Sequence, residues 1–421
     1  MLKKSVALFL VVLASCTASR NLPADNLVKD NLVYAEQMLS AQLLVANKNF
    51  SAERGAYPRT TNKSGGLATT SIYDWTPGFF PGSLWFLYDN SKNEHLKAEA
   101  VKWTEKLKPL EHFTGHHDLG FMMYCSYGNA YRFTGDESYK KILINAAKAL
   151  CTRFDPATGA IKSWNAFKSW HGDKTYDFPV IIDNMMNLEM LFFASKVSGD
   201  TTYRHVAVTH ALTTLKNHFR PDYSSYHVVC YDSKTGEVVA RETAQGYADN
   251  STWSRGQAWA VYGYTMCYRE TGDPRFLKMA TGLADYYIKN LPADQVPLWD
   301  FNANQSGYQP GKNSYANKVT TPHRDASAAA ITASALLELS TFTEGRASRN
   351  YKEKAVKMLE SLSSDAYRAK TGTNADFVIQ HCVGSIPHQV EIDVPLVYAD
   401  YYYIEALHRY GRMQAGKGRF E

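Results

Sequence analysis

Apolar residues recur at helical spacing in twelve stretches of the chain, separated by connections of two alternating lengths. The spacing predicts helices near 30–47, 79–88, 94–108, 119–133, 137–152, 183–197, 201–218, 253–270, 274–290, 326–342, 349–362 and 393–410. The connections before 79, 119, 183, 253, 326 and 393 are long and rich in Tyr, Trp, Gly and Asn. Two of them carry short strand-turn-strand signals, at Asp155–Gly159 and Asp232–Gly236, flanked by β-branched or aromatic residues. Loops this long inside a compact domain are usually functional.

The short connections share a punctuation mark: Thr134-Gly-Asp136, Ser198-Gly-Asp200, Thr271-Gly-Asp273 and a degraded Thr343-Glu-Gly345. Glycine suits the residue after a helix, and aspartate suits the cap of the next one. The glycines at 135, 199, 272 and 345 are 64, 73 and 73 residues apart, which makes each unit one helical hairpin plus a long loop. Asp89–Asn93 fills the same role without the glycine. Six antiparallel helix pairs close most simply into a double ring, an (α/α)6 barrel with alternate helices inside. An open solenoid satisfies the same pattern.

Within this pattern Phe178–Phe193 stands out, because one carboxylate, Asp183, sits at the start of a helix that is apolar on every face through Met186, Leu188, Met190, Leu191 and Phe192. Asp183 is readable as a helix cap or as a catalytic acid whose pKa is raised by partial burial. The other residues foreign to a core gather at the starts of the even-numbered helices, on the side of the long loops. They are Trp75, His117, Asp118, Trp253, Arg255 and Asp325. Arg255 and Trp259, four apart, share a helix face. Taken singly, Asp118 and Asp325 read as caps, His117 as a loop histidine, and Trp253 and Trp259 as core; their confinement to one end points to a site. Two carboxylates converging on one cavity are the minimum for acid/base work on a glycosidic or enol-ether bond, and an ionised Asp118 would help keep Asp183 protonated. His116-His117-Asp118 lacks metal-ligand spacing, and neither Gly65-Gly66 nor Gly311-Lys312 fits a phosphate loop, so no metal or cofactor is expected.

Composition changes the picture at the N-terminus. Met1–Cys16 has a basic start, a short apolar run and small residues before a cysteine, the pattern of a secretion signal. Leu13-Ala-Ser-Cys16 resembles a bacterial lipobox, which implies cleavage before Cys16, a lipid on its sulfur and an anchored, exported protein at the periplasmic face of a bacterial membrane. Ordinary secretion with loss of Cys16 is the other reading of that signal. The division expected is a signal over 1–15, a linker over 16–29 and a single barrel domain over 30–421. The net charge of +5 becomes +3 without Lys3 and Lys4, too small to suggest a nucleic-acid partner. Cys125, Cys151, Cys230, Cys267 and Cys382 fall mostly within apolar helical patterns and read as core thiols. The 28 Tyr and 8 Trp suit stacking on sugar rings, although aromatics also fill cores.

The residues now assembled resemble a family. His117-Asp118-Leu-Gly-Phe121, Asp183-Asn-Met-Met-Asn187, Gln245-Gly-Tyr-Ala-Asp-Asn-Ser-Thr-Trp-Ser-Arg-Gly-Gln-Ala-Trp259 and Glu391-Ile-Asp-Val-Pro-Leu-Val-Tyr-Ala-Asp-Tyr-Tyr402 are similar to motifs of the unsaturated glucuronyl hydrolases, glycoside hydrolase family 88. The resemblance runs from about Trp75 to the last helix and implies an (α/α)6 barrel. It implies removal of a Δ4,5-unsaturated uronic acid from the non-reducing end of oligosaccharides left by polysaccharide lyases, glycosaminoglycan disaccharides among them. In that reaction Asp183 protonates C4 of the enol ether and activates the water that adds at C5, and Asp118 serves charge and positioning. The resemblance further assigns His227 and Gln245 to the uronate or the water, Arg255 to the uronate, and Trp75, Trp253 and Trp259, with His117, to the substrate pocket. Ser385, His388 and Gln389 are candidates for an outer subsite. Two other readings stay open: a hydrolase of unsaturated rhamnogalacturonyl ends, and a lipid-anchored glycan-binding protein without activity. The oligomeric state is undetermined.

Overall fold

The computed structural model describes residues 24–51 and 56–417. The expected signal and Cys16 lie outside the described residues. Twelve α-helices occur among them: α1 (Ala24–Ala46), α2 (Phe79–Ser91), α3 (Glu94–Glu105), α4 (Asn129–Thr134), α5 (Ser138–Cys151), α6 (Leu188–Ser198), α7 (Thr201–Asn217), α8 (Ser254–Thr271), α9 (Pro274–Lys289), α10 (Ala326–Ser340), α11 (Gly345–Leu362) and α12 (Val397–Gln414). Each expected helix is present. α4 is entered through a π-helical stretch, Gly120–Gly128, and α6 through a 3-10 turn, Ile182–Asn187.

Helix ends follow the local chemistry. Gly135, Gly199 and Gly272 take left-handed conformations at the ends of α4, α6 and α8, and Asn93, Asp200 and Asp273 cap α3, α7 and α9 by accepting backbone N–H groups, as Asp136 accepts from Ser138 at the start of α5. Gly345 departs from the pattern: α10 has already ended at Ser340, and the glycine opens α11. α1 starts at Ala24, so 24–29 of the expected linker are helical. Leu27 and Val28 extend the buried stripe of Leu32, Ala35 and Leu39, which gives those residues a reason to stay in the helix.

The even-numbered helices form the inner ring. α10 is buried over its whole length and α8 from Ser254 to Cys267, whereas α9 buries only Phe276, Ala280, Leu283, Ala284 and Tyr287, one stripe at helical spacing. The ring closes. Phe86 of α2 packs on Tyr401 of α12, Asn129 of α4 donates to the Tyr401 hydroxyl, and Glu405 of α12 accepts from Tyr262 of α8 and Ser334 of α10. An open solenoid would leave α2 and α12 apart, so this is the (α/α)6 barrel. Two glycines permit the tightest approaches. A Cβ at Gly120 would lie 2.4 Å from the Asn187 Cα, and one at Gly263 would lie 2.5 Å from the Met185 Cβ.

Small antiparallel sheets decorate the long loops: β1 (Tyr57–Thr61) with β2 (Leu67–Thr70), β3 (Phe154–Asp155) with β4 (Ala160–Ile161), β5 (Phe167–Lys168) with β6 (Thr175–Tyr176), and a three-stranded sheet of β7 (Pro179–Ile181), β8 (Val228–Tyr231) and β9 (Val238–Glu242). β10 (Cys382–Ser385) and β11 (Val390–Val394) precede α12, which therefore begins at Val397 rather than at 393. Both strand-turn-strand signals are present, at β3–β4 and β8–β9. The five cysteines among the described residues are free thiols, with Cys125 and Cys151 only partly buried.

Candidate active site

A cavity of about 690 Å³ opens at the long-loop end, and every one of the six long loops contributes to its lining. Trp75 comes from the loop before α2 and Asp118 from the one before α4. Trp164, Trp170 and Asp183 precede α6, Gln245 precedes α8, Asn313 precedes α10 and His388 precedes α12.

Asp183 is placed by strand pairing. β7 runs against β8 with Ile181 opposite Val228, and the Ile182 N–H donates to the His227 carbonyl at 3.0 Å, so the next residue, Asp183, emerges beside His227. Ser163 ties this segment to the other carboxylate. Its N–H donates to the Pro179 carbonyl, its hydroxyl accepts from the Ile181 N–H, and its carbonyl accepts from the His117 N–H, at 2.9, 2.9 and 3.1 Å. Asp183 caps neither element: Ile181 occupies the cap position of the 3-10 turn and Asn187 that of α6, and neither makes a side-chain cap hydrogen bond.

Both carboxylates are buried, and their surroundings drive them apart. Burial pushes Asp183 up to about 7; the Arg255 charge opposes this, the Asp118 charge reinforces it, and the nearby Trp259 indole N–H opposes it again. Burial also acts upward on Asp118, but the flanking His117 and His116 outweigh it and hold its carboxyl below the usual value. His116 places Nδ1 2.9 Å from Asp118 Oδ2 and Nε2 3.1 Å from the Tyr73 carbonyl, and these acceptors raise its pKa against burial. His117, with no exposed surface, lies 3.3 Å from Asp118 Oδ1 and is pushed down by burial to about 4. The result near pH 7 is one ionised carboxyl and one poised to gain or lose its proton, the split that acid/base chemistry uses.

His227 completes the pair. Its Nδ1 accepts the backbone N–H groups of Ala244 and Gln245, both at 3.1 Å, so the proton of the neutral ring sits on Nε2. Burial keeps the ring neutral, far below its ordinary pKa. Nε2 faces Asp183 Oδ2 across 3.7 Å, and neither atom has a hydrogen-bond partner among the described residues. A buried donor and a buried carboxyl oxygen without partners, directly behind the cavity wall, single out this position as one kept for function rather than for packing.

These features come with a lineage. The model of glycosyl hydrolase family 88 matches residues 51–417. The chain belongs to glycosyl hydrolase family 88. An unsaturated glucuronyl hydrolase of Formosa agariphila is 45% identical over 339 residues, 80% of each chain. The crystal structure of an unsaturated glucuronyl hydrolase specific for heparin is 44% identical with a TM-score of 0.82, covering 93% of this chain and 99% of that one. A mutant unsaturated glucuronyl hydrolase of Streptococcus agalactiae, solved in complex with dGlcA-GalNAc6S, is 28% identical with a TM-score of 0.74 and covers 93% of each chain.

Of the residues that the family resemblance assigned, Asp118, Asp183, Trp75, Gln245 and Arg255 line the cavity, and His227 stands directly behind Asp183. His117, Trp253 and Trp259 are buried outside the lining: Trp253 stacks on His227 at 4.4 Å, and Trp259 is wedged between Phe121 and Tyr402 at 5.1 and 5.3 Å. Arg255 has prior commitments. Its Nη1 pairs with Asp325 at 2.7 Å and bonds the Val383 carbonyl, and its Nη2 donates to the Gly384 carbonyl at 2.6 Å, leaving two of five N–H groups. Asp325 is the cap of α10, accepting from the Ser327 N–H. Ser385 does not line the cavity; its hydroxyl holds His388 Nδ1 at 2.6 Å, and His388 does line it. Sequence reasoning missed Trp164, Lys168, Ser169, Trp170 and Asn313 in the lining, and Ser163 beneath it. The two tryptophans six apart in the aromatic-rich loop before α6 were the available signal. Among the described residues no cluster of His, Cys, Asp and Glu could hold a metal ion.

Proposed function

We infer that this family 88 hydrolase removes a Δ4,5-unsaturated uronic acid from the non-reducing end of lyase-generated oligosaccharides, with glycosaminoglycan disaccharides as the class. The observation that carries this reading is Asp183 in the cavity wall, raised to about 7 beside an ionised Asp118, with the unpartnered His227 Nε2 3.7 Å behind it. Asp183, raised to about 7 and so still partly protonated at neutral pH, donates its proton to C4 of the enol ether. The carboxylate formed takes a proton from the water that adds at C5, so Asp183 ends as it began. His227 Nε2–H holds that water or the uronate oxygen. The C5 hemiketal opens at its ring oxygen, and the hemiacetal left at C1 releases the remaining sugar. Asp118 stays ionised and sustains the proton on Asp183 through like charge. Arg255 has two donors left for the uronate carboxylate, and Trp75 supplies an apolar face for the ring. Trp164, Trp170, Lys168 and His388 surround the second sugar.

The names of the similar proteins support this substrate class, since one is specific for heparin and another was solved with dGlcA-GalNAc6S. The test compares unsaturated disaccharides with their saturated counterparts. Loss of the absorbance of the conjugated C4=C5 carboxylate, with release of free sugar from the unsaturated set alone, is the expected result. Equal cleavage of both sets contradicts hydration.

The export reading rests on Met1–Cys16 alone. Cleavage before Cys16 and a lipid on its sulfur would anchor the enzyme at the periplasmic face of a bacterial membrane. Cys16→Ser should move the protein from the membrane to the soluble fraction, and unchanged partition contradicts the anchor.

A further inference from the structure

A second cavity, of about 710 Å³, opens at the opposite end of the barrel, where the short turns lie. Its walls are the lower halves of the two helices that follow Asp118 and Asp183. Tyr124 and Tyr131 come from the first, and Phe192 and Phe193 from the second, with ring centroids 5.6 Å apart for Tyr124–Phe193 and 5.4 Å for Tyr131–Phe193. Phe193 stands ten residues past Asp183, roughly 15 Å along a helix axis, which separates this cavity from the catalytic one.

The charges lining it do not balance locally. Arg132, Lys196, Arg204 and Arg269 face two carboxylates, Glu189 and Glu270. Arg269 engages both: it pairs with Glu189 and holds Glu270 at 2.9 Å, with Glu338 at 2.6 Å besides. Arg132 reaches Glu189 only at 3.9 Å and donates to the Asn129 side chain at 2.9 Å, Arg204 donates one N–H to the Glu270 backbone carbonyl at 2.9 Å, and Lys196 is exposed with no carboxylate partner among the described residues. The Tyr124 hydroxyl makes no hydrogen bond among the described residues.

We propose that this lower cavity is a binding site for a six-membered ring carrying a carboxylate. The ring lies against Tyr124, Tyr131 and Phe193, and the carboxylate meets Arg132, Lys196 and Arg204. Aromatic walls with surplus guanidinium and ammonium groups recognise that combination and reject a neutral ring, which leaves the cations unpaired.

The test is calorimetric titration of the full chain with D-glucuronate, benzoate and glucose. Glucuronate and benzoate share the charged ring and distinguish a sugar from an aromatic occupant. At least one of them should bind in an event that Lys196→Gln combined with Arg204→Gln weakens tenfold or more and that Trp75→Ala, in the catalytic cavity, leaves in place. Lys196→Gln alone, at an exposed position, should weaken it severalfold and guards against misfolding of the double variant. Absence of any such event, an event insensitive to Lys196 and Arg204, or equal binding of glucose overturns the proposal.

Discussion

His227 points its Nε2–H at Asp183 Oδ2 from 3.7 Å, and the backbone N–H groups of Ala244 and Gln245 fix the tautomer that makes this possible. Replacing His227 with Ala removes a preorganised donor without touching the carboxyl. Turnover should fall by about 10²–10³-fold, the usual cost of one such donor, with the fold retained. Steady-state kinetics beside a thermal melt checks this; an unchanged kcat would remove His227 from the mechanism.

The pH profile follows from the two carboxyls. Activity needs Asp183 protonated, so kcat/KM should fall as pH rises through about 7. It should also fall in acid, as Asp118, held below the usual carboxylate value, takes up a proton. Asp118→Asn removes the like charge that helps raise Asp183, so the alkaline limb should move to lower pH as kcat drops. His116→Asn removes the imidazole that helps hold Asp118 down and should move the acid limb upward.

Trp75 and Trp259 should separate binding from stability. Trp75 lines the cavity, and Trp75→Ala should raise KM severalfold with a modest loss of stability. Trp259 is fully buried, and Trp259→Ala should cost about 3–5 kcal/mol in chemical denaturation.

Gly263→Ala tests the closure of the inner ring. Its new methyl would lie 2.5 Å from the Met185 side chain on the turn that carries Asp183. About 1–3 kcal/mol of destabilisation is expected, together with lower activity, because the turn must shift. Denaturation midpoints and kcat on the same sample check both.

The helices were legible because their punctuation is local: Gly135, Gly199 and Gly272 with Asn93, Asp200 and Asp273 mark ends that neighbouring residues decide. Asp118 and Asp183 were legible as carboxylates out of place on apolar elements. The ties of Arg255 were not, since Val383 and Gly384 lie more than a hundred residues away and come to it only when β10 docks against α10. Nor was the π-helical Gly120–Gly128, whose Phe121, Met122 and Met123 read equally well as an ordinary helix. Trp164 and Trp170 sit in a loop without periodicity, so nothing local aimed them at the cavity.

The central claim is that the Asp183 carboxyl delivers the proton to C4, and Asp183→Asn tests it directly. Wild type and variant are mixed with an unsaturated glycosaminoglycan disaccharide, and the C4=C5 absorbance is followed alongside calorimetric binding. The wild type should abolish the absorbance, while the variant binds the disaccharide and leaves the absorbance intact, at least about 10²–10⁴-fold slower. Turnover by Asp183→Asn at a rate near wild type, or binding by the wild type without loss of absorbance, would contradict the account.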